Sequence, residues 1–320
     1  MSTEGSTRAV IAAMIANLGI AIAKFVGFLF TGSSSLLAES IHSVADTGNQ
    51  VLLLFGGKRS RMAPDRKHPF GYGRERYFWA FVVSIVLFTL GAMFAIYEGV
   101  EKVLHPHAIE SPQWAIGILG ISILLEANSF RTAIHEARPS KGNASWFSFI
   151  RRSRSPELPV VILEDTGALI GLVFALAAVG LAVVTKNGVW DGVGSIVIGT
   201  LLGVIAIVLS IEMKSLLIGE SATEVDEDAI RDAIDESPVV NELISLRTEH
   251  IGPDEILVAA KVEFDRSLTM AQLAVAIDEV EVAIRAAVPA AKRIFLEPDV
   301  VKPELGGSED PWSGLEGRPH

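Results

Sequence analysis

The feature that most constrains this chain is a series of six long apolar runs. Of its 320 residues, 50% are hydrophobic. They are concentrated in stretches close to the roughly 20 residues that an α-helix needs to cross the hydrocarbon core of a bilayer. The runs cover residues 8–30, 36–55, 77–100, 114–134, 158–184 and 189–218. This pattern predicts an α-helical membrane protein with six transmembrane helices.

Basic residues in the connecting loops predict the orientation of these helices. Seven Lys and Arg residues lie between the second and third runs and five lie between the fourth and fifth, whereas the opposite loops contain only Lys102 and Lys186. Because loops rich in Lys and Arg stay in the cytoplasm, both basic loops and, with an even number of spans, both termini are expected there. With no visible targeting peptide, a bacterial plasma membrane is favoured over the membrane of a eukaryotic organelle.

The composition changes after Gly219, where acidic and alternating patterns replace the apolar runs. In chain order, the patterned segments are a helix over 224–235, strands over 243–249 and 256–264, a helix over 270–288 and a strand over 293–296. The order α-β-β-α-β predicts a small cytosolic α+β domain of the ferredoxin-like type over residues 220–301. Residues 1–219 then form the membrane domain, and residues 302–320 are predicted to be disordered.

Composition also excludes several classes of function. Because the chain has no cysteine, any metal has to be bound by His, Asp, Glu, Asn or backbone oxygen. A net charge of −11 argues against nucleic acid as a partner. The sequence contains neither an HExxH motif nor a nucleophile constellation, which argues against a membrane metallohydrolase.

Ionisable residues inside the second and fifth runs are the candidates for function. His42 and Asp46 are four residues apart, so they share one face of a helix, and Asn49 extends that face. Glu164 and Asp165 stand together in the otherwise apolar fifth run. Charged groups at membrane depth are costly and usually functional. Imidazole and carboxylate ligands from two helices can build a tetrahedral site without sulfur, which suits Zn²⁺ better than Mg²⁺ or Ca²⁺.

The members of this group are not equivalent. Neighbours on a helix point about 100° apart, so Glu164 and Asp165 are not both expected to face the site. One of them is then a hydrogen-bonding support, a proton carrier, or paired elsewhere. Asn49 is interpreted either as a ligand or as a hydrogen bond between helices, and Glu126 in the fourth run either lines the path or packs between helices.

Three segments of the chain resemble motifs of the cation diffusion facilitator family. Residues 37–46 resemble the second-span motif of the family, and residues 68–73 resemble its loop before the third span. Residues 163–168 are similar to the fifth-span motif of one branch, which has Glu-Asp in this helix and includes zinc-transporter homologues of mitochondria. The three motifs occur in the right order on the right spans, and the resemblance covers residues 8–300.

The resemblance implies a homodimer of inverted-V protomers, each with a metal site inside the membrane that exchanges a divalent metal for protons. Carried over by position, His42, Asp46 and Asp165 match three of the usual four ligands. The fourth position, one turn before Asp165, is Val161 in this chain. In that case Glu164, Asn49 or water completes the coordination shell.

A second site implied by the resemblance lies in the loop after the second span. Asp65 and His68 fit the loop metal site found in some members, but Tyr72 stands where a second histidine would be. A basic interfacial loop is therefore the preferred interpretation of this segment.

A third site implied by the resemblance lies in the cytosolic domain, where some members bind metal at the dimer interface. His250 is the candidate, with Glu297 and Asp299 as partners. An equally good interpretation is that His250, Glu297 and Asp299 are ordinary surface residues of an acidic domain.

The sequence therefore predicts a secondary transporter rather than an enzyme. Its predicted activity is metal/proton antiport in the lipid bilayer, with export of Zn²⁺ from the cytosol and protons as the counter-ion. One alternative keeps the mechanism and changes the cargo to Mn²⁺, Fe²⁺ or Co²⁺. Another is a membrane-anchored metal sensor or scaffold. The carboxylates in the second and fifth runs count against the sensor, because an anchor does not need them.

Overall fold

The structure, a computed structural model, describes residues 3–109 and 111–301. Six long helical segments dominate the described chain. They are α1 (Thr3–Thr31), α2 (Ser34–Arg59), α3 (Glu75–Val86) with a π-helical turn (Leu87–Met93) and α4 (Phe94–Leu104), then α5 (Pro112–Lys141), α7 (Glu157–Thr185) and α8 (Val189–Ile218). A short helix, α6 (Trp146–Arg152), lies between α5 and α7.

These helices match the six apolar runs of the sequence. Those that begin at Glu75, Pro112, Glu157 and Val189 have both the length and the apolar composition to cross a membrane. α1 is apolar over Asn17–Thr31. α2 is 26 residues long but carries the row of polar residues that the sequence marks as a site. The predicted fold class, an α-helical membrane protein with a C-terminal α+β domain, is confirmed.

α8 packs closely against the α3–π–α4 helix through small residues. A Cβ atom at Gly192 would lie 2.7 Å from the carbonyl oxygen of Gly99, and one at Gly199 would lie 2.7 Å from that of Ala92. Small side chains let membrane helices approach at backbone distance, which increases their van der Waals contact. These contacts hold the π-helical turn in a fixed place against α8.

The second basic loop contains helical structure that the sequence analysis did not predict. α5 continues to Lys141, and α6 occupies part of the loop. The Ser145 side chain accepts a hydrogen bond from the Ser148 N–H and caps α6. Phe149 of α6 is buried in an apolar cluster with Ala133 of α5 and residues of α7. Burial of this aromatic side chain makes a short helix stable in a segment whose basic residues indicated only a loop.

The C-terminal unit has the predicted order of elements. It consists of α9 (Glu224–Asp235), β1 (Val240–Gly252), β2 (Glu255–Phe264), α10 (Met270–Ala287) and β3 (Ala291–Pro298). The three strands form one sheet in the order β1-β2-β3. β2 and β3 are parallel, with Val258 opposite Ile294. α10 is the crossover that such a parallel pair requires.

The core of this unit is built from the apolar faces of its helices and strands. Ile230 and Ile234 of α9 and Ile284 of α10 are completely buried, together with Val258 and Val262 of β2. Both helices begin at threonine caps, one at Thr223 and one at Thr269. The hydrophobic burial and the caps explain why the sequence pattern identified these elements.

The described chain divides into two compact units. One comprises residues up to Glu220 together with Ile251–Pro253, and the other comprises Ser221–His250 and the residues from Asp254 onward. The predicted domains, 1–219 in the membrane and 220–301 in the cytosol, stay a prediction with respect to their location. The segment predicted to be disordered, 302–320, lies outside the described residues.

Candidate metal site

α2 carries four polar residues along one face in the interior of the membrane unit. Glu39, His42 and Asn49 are completely buried, and the side chain of Asp46 is 14% exposed. Spacings of three and four residues place them in one stripe. His42 Nε2 lies 3.5 Å from Asp46 Oδ2, so the imidazole and the carboxylate predicted as ligands are adjacent.

α7 faces this stripe with Glu164. The Asn49 Nδ2 amide donates a hydrogen bond of 2.6 Å to Glu164 Oε1, which links the second and fifth spans at the predicted site. Asp165 points about 100° away, where its Oδ2 accepts a hydrogen bond of 3.3 Å from Ser129 Oγ on α5. In this conformation Glu164 is turned toward α2 and Asp165 toward α5.

Val161 occupies the position where the family usually has a fourth ligand. Its side chain packs on the apolar cluster formed by Ala133, Ala137, Phe149 and Ile162. No ligand atom is supplied there, so the other donors near His42 have to make up the set.

Several polar atoms of the stripe have no hydrogen-bond partner among the described residues. They are both ring nitrogens of His42, Asp46 Oδ1, Asn49 Oδ1 and Glu39 Oε1. Such atoms are rare in folded proteins, because an unsatisfied buried polar group costs about 1–3 kcal/mol. A cation that enters the membrane unit would find several electron-pair donors without competing partners.

The arrangement is open rather than preassembled. Within the described part of the chain, no three His, Asp or Glu side chains are close enough to form a ready metal-binding group. The donors instead form two half-sites, His42 with Asp46 on α2, and Glu164 with Asp165 on α7, of which Asp165 is turned toward α5 in this conformation. A metal bound between them requires the two helices to bring these groups together.

A third helix adds a carboxylate to the same region. Glu126 of α5 is buried, with 6% of its surface exposed. It interacts electrostatically with both Asp46 and Asp165. Both sequence interpretations of Glu126, lining the path or packing between helices, stay predictions. Like charges held together in a low-dielectric interior favour the binding of a cation or of protons.

Lys24 of α1 is a residue that the sequence analysis missed. It is completely buried. Its Nζ donates hydrogen bonds to Glu39 Oε2 at 3.1 Å and to Ser43 Oγ at 2.8 Å. The signal was present, because Lys24 is a charged residue in the interior of the first apolar run. The sequence alone did not indicate that Lys24 pairs with Glu39 and Ser43 of α2.

The π-helical turn was also missed. It contains Gly91, and a Cβ atom at Gly91 would lie 3.8 Å from His42 Nδ1. π-turns inserted in α-helices are frequent at functional sites. No local sequence signal distinguishes such a turn from an ordinary helix.

In the loop before the third span, Tyr72 contacts both Asp65 and His68, the two residues predicted as weaker ligands. The Tyr72 hydroxyl donates a hydrogen bond of 2.8 Å to Asp65 Oδ2 and lies 2.9 Å from His68 Nδ1. The Tyr72 hydroxyl and the His68 backbone N–H lower the pKa of Asp65, and the hydrogen bond to Asp65 raises the pKa of Tyr72. Tyr72 thus completes a hydrogen-bonded cluster at the position of the missing histidine.

In the C-terminal unit, His250 is buried at the end of β1. Asp299 and Glu297 are engaged by Lys261, whose Nζ lies 3.1 Å from Asp299 Oδ2 and 3.4 Å from Glu297 Oε1. Hydrogen bonds to Asp299 and Glu297 raise the pKa of Lys261. The structure therefore does not group His250 with the two carboxylates as ligands, and a metal site there stays a prediction.

The fold and the site together define a class of protein. Long apolar helices surround a buried imidazole and carboxylates that face one another from different helices. In membrane proteins such groups mark ion pathways and proton relays. The protein is an integral, multi-pass membrane protein of the transporter class.

Comparison with known families identifies the family of transporters to which the chain belongs. Residues 10–218 match the family model described as the cation efflux transmembrane domain. The chain belongs to the cation efflux family, whose members are transporters rather than enzymes. The resemblance found in the sequence is confirmed.

Individual relatives share much of the chain. It is 34% identical to the proton-coupled zinc antiporter SLC30A9, mitochondrial, of Mus musculus over 76% of this chain and 43% of that protein. It is 32% identical to metal tolerance protein C4 of Arabidopsis thaliana over 84% and 60%. It is 25% identical to magnetosome protein MamB of Paramagnetospirillum magneticum over 89% and 92%. The chain spans about half the length of the mitochondrial antiporters that it matches.

Proposed function

We propose that this protein is a metal/proton antiporter that moves Zn²⁺ out of the cytosol. In this proposal His42 and Asp46 of α2 and Asp165 of α7 are ligands. Glu164, held by Asn49, replaces the ligand missing at Val161. The observation that carries the proposal is the buried His42 ring, whose two nitrogens lack partners among the described residues while its Nε2 lies 3.5 Å from Asp46.

The chemistry of the donors supports Zn²⁺ as the cargo. One imidazole with carboxylates is a set that tetrahedral zinc sites use without sulfur. The relative named as a proton-coupled zinc antiporter is 34% identical, which points in the same direction. Mn²⁺, Fe²⁺ and Co²⁺ are the second candidates. The carboxylates outnumber the single imidazole, and oxygen ligands suit Mn²⁺ in particular.

Proton exchange follows from the ligands themselves. A metal binds only a neutral imidazole and ionised carboxylates, so its binding releases protons. Protons that arrive from the other side of the membrane rebind His42 and the carboxylates and displace the metal. The energy for export then comes from the proton gradient, and the two half-sites on α2 and α7 separate and meet as the helices rearrange.

We further propose that the protein works as a homodimer in a bacterial plasma membrane. Both termini and both basic loops lie in the cytoplasm in this arrangement, as the distribution of Lys and Arg requires. The acidic C-terminal unit then faces the cytosolic metal and raises its local concentration near the entrance.

Metal flux into proteoliposomes tests the proposal. The full chain is reconstituted with an enclosed fluorescent metal indicator. The comparison is between the wild type, Asp46→Asn and, as a control, Glu101→Gln, which changes a carboxylate in the last turn of α4. We expect saturable Zn²⁺ flux that depends on a pH gradient, is lost in Asp46→Asn and is kept in Glu101→Gln. Each protein is also offered Mn²⁺, Fe²⁺ and Co²⁺, and preferential flux of one of these would change the cargo.

The same experiment separates transport from sensing. Wild-type flux in Asp46→Asn would contradict the proposed site. Folded wild-type protein that binds Zn²⁺ but moves no metal would favour the membrane-anchored sensor. Flux that is unchanged when the pH gradient is collapsed would contradict antiport while leaving metal transport intact.

A further inference from the structure

The ion pair of Lys24 and Glu39 places a cation of the protein itself beside the proposed site. Both side chains are completely buried, and the Lys24 ammonium is 3.1 Å from Glu39 Oε2. A buried ammonium has to be paired, because leaving it unpaired in a low-dielectric interior is very costly. Lys24 takes its second acceptor, Ser43 Oγ, from the next turn of α2.

Glu39 uses only one of its two oxygens in this pair. Its Oε1 is buried and has no hydrogen-bond partner among the described residues. That oxygen points at α7, where a Cβ atom at Gly171 would lie 2.8 Å from it. The absence of a side chain at Gly171 leaves room for the carboxylate between the two helices. Glu39 therefore keeps one carboxylate oxygen without a hydrogen bond among the described residues, able to bind a cation, at the same helix interface that contains the proposed site.

Glu39 lies beside His42 on α2, on the side away from the first basic loop. It precedes His42 by three residues on α2, which corresponds to about 4.5 Å along the helix axis. α2 begins at Ser34 and ends at Arg59, beside the first basic loop. Glu39 thus lies on the side of His42 that faces away from the basic loop. In the proposed orientation this is the side on which the metal leaves.

An ammonium group and a divalent metal compete for the same carboxylate. Both are cations that an ionised carboxylate binds directly, and only one can occupy its oxygens in a narrow interior. Lys24 also interacts electrostatically with His42, Asp46 and Glu126, so its charge acts on the whole group. A lysine that left Glu39 would remove repulsion from an incoming metal and expose a new ligand.

We propose that Glu39 is a second cation-binding carboxylate on the exit side of the site, and that Lys24 occupies it here as a built-in competitor of the transported divalent metal. This inference rests on the proposed function. The ammonium yields Glu39 to the metal as the metal moves outward from His42. It then returns to Glu39 and hinders rebinding from the exit side.

A purely structural role of the pair makes different predictions. If Lys24 and Glu39 only hold α1 against α2, their replacement by neutral side chains would affect folding and leave metal binding and flux unchanged. Removing both charges of a buried pair at similar side-chain volume leaves no uncompensated buried charge, which is the costly outcome when only one partner is removed. The double variant Lys24→Met/Glu39→Gln therefore separates the two roles.

Equilibrium dialysis against Zn²⁺, on the full chain in detergent, counts the bound ions. We expect Lys24→Met to bind one more Zn²⁺ per chain than the wild type, because Glu39 is released. The double variant and the charge-preserving Lys24→Arg are both expected to return to the wild-type count. An equal count in Lys24→Met and the wild type would overturn the inference.

Flux in proteoliposomes gives a second test that does not depend on the folding of Lys24→Met. We expect the double variant to fold and to move Zn²⁺ about tenfold more slowly than the wild type, because the Glu39 carboxylate that receives the metal on the exit side is missing. Wild-type flux in the double variant would overturn the inference. Absence of flux in the wild type itself would instead overturn the proposed antiport, and the dialysis count would still test Glu39.

Discussion

The two ends of the polar face of α2 differ in how completely their buried groups are satisfied. At its N-terminus, Asp191 of α8 accepts hydrogen bonds from Ser33 Oγ at 2.9 Å, from the Ser34 N–H at 2.8 Å and from the Ser35 N–H at 3.3 Å. Lys102 donates to the Gly32 carbonyl at 2.8 Å. Two turns further along α2, both nitrogens of the buried His42 ring lack a hydrogen bond among the described residues.

Under the proposed function, this difference separates structure from function within one helix. The first N–H groups of a helix have no acceptors inside it. The Asp191 carboxylate accepts hydrogen bonds from two of them and so holds α2 to α8. The His42 ring nitrogens, Asp46 Oδ1 and Asn49 Oδ1 make no hydrogen bond to the described residues in this conformation. Their burial makes sense as the cost of a site that receives a cation and protons.

The largest expected effect is on stability, at the satisfied end. The buried Lys102 ammonium lies 3.9 Å from Asp191 Oδ2. Asp191→Ala removes this partner and also leaves the N–H groups of Ser34 and Ser35 without their acceptor. We expect the free energy of unfolding to fall by about 3–5 kcal/mol, as when one member of a buried ion pair is removed. The measurement is a denaturant titration of the purified protein in detergent.

The control is Ser195→Ala on the same helix, which removes a hydroxyl that donates to the Asp191 carbonyl at 3.3 Å. Its loss is expected to cost about 1 kcal/mol. Equal stability of Asp191→Ala and wild type would remove the structural half of the comparison.

The next effect is on transport, at the unsatisfied end. We expect His42→Ala to reduce Zn²⁺ flux by about 100-fold or more, because a ligand is removed and outer partners of metal ligands alone are worth 10–100-fold. Its free energy of unfolding is expected to change much less than that of Asp191→Ala. The control is His105→Ala, an exposed histidine after α4. Flux of His42→Ala at the level of the control would break the comparison.

A smaller effect is expected where Asn49 holds Glu164. Asn49→Ala removes the hydrogen bond of 2.6 Å between α2 and α7 and is expected to lower Zn²⁺ flux about tenfold. Ser129→Ala removes the longer contact of 3.3 Å to Asp165, and its loss of flux is expected to be smaller. The reverse order would mean that Asp165, in the orientation described, supports transport more than Glu164 does.

The smallest effect is expected in the loop. Tyr72→Phe removes the hydrogen bond that contributes most to lowering the Asp65 pKa, so that pKa should rise toward its ordinary value, measured by carbon NMR of the labelled carboxylate. Because the pKa of Asp65 is lowered in the folded loop, its ionised carboxylate stabilises the loop at pH values above the ordinary pKa of about 3.9. This stabilisation is lost as the pH falls through the lowered pKa. Zn²⁺ flux near pH 7 should stay within about twofold of the wild type. A large loss of flux would mean that this loop takes part in transport.

Much of the fold was predictable because it depends on local patterns. The lengths of the apolar runs identify the long helices, and helical periodicity and strand alternation identify the elements of the C-terminal unit. His42, Asp46, Glu164 and Asp165 stand out in the sequence because charge inside an apolar run is conspicuous. These signals need no knowledge of which helices touch.

The remaining features depend on contacts between distant segments. The pairing of Lys24 with Glu39, the capping of α2 by Asp191, and the turning of Glu164 toward Asn49 each join residues far apart in the chain. α6 was missed because its burial depends on residues of α5 and α7. The π-helical turn at Gly91 has the same composition as an ordinary helix, so periodicity alone does not identify it.

Proton release on Zn²⁺ binding is the most direct test of the claim that the unsatisfied groups exchange metal for protons. Zn²⁺ is added to the purified full chain in weakly buffered detergent with a pH indicator, for the wild type and for Asp46→Asn. We predict that the wild type releases protons in proportion to bound Zn²⁺ and that Asp46→Asn releases fewer per bound ion. Zn²⁺ binding by the wild type without proton release, or the same release in both proteins, would contradict it.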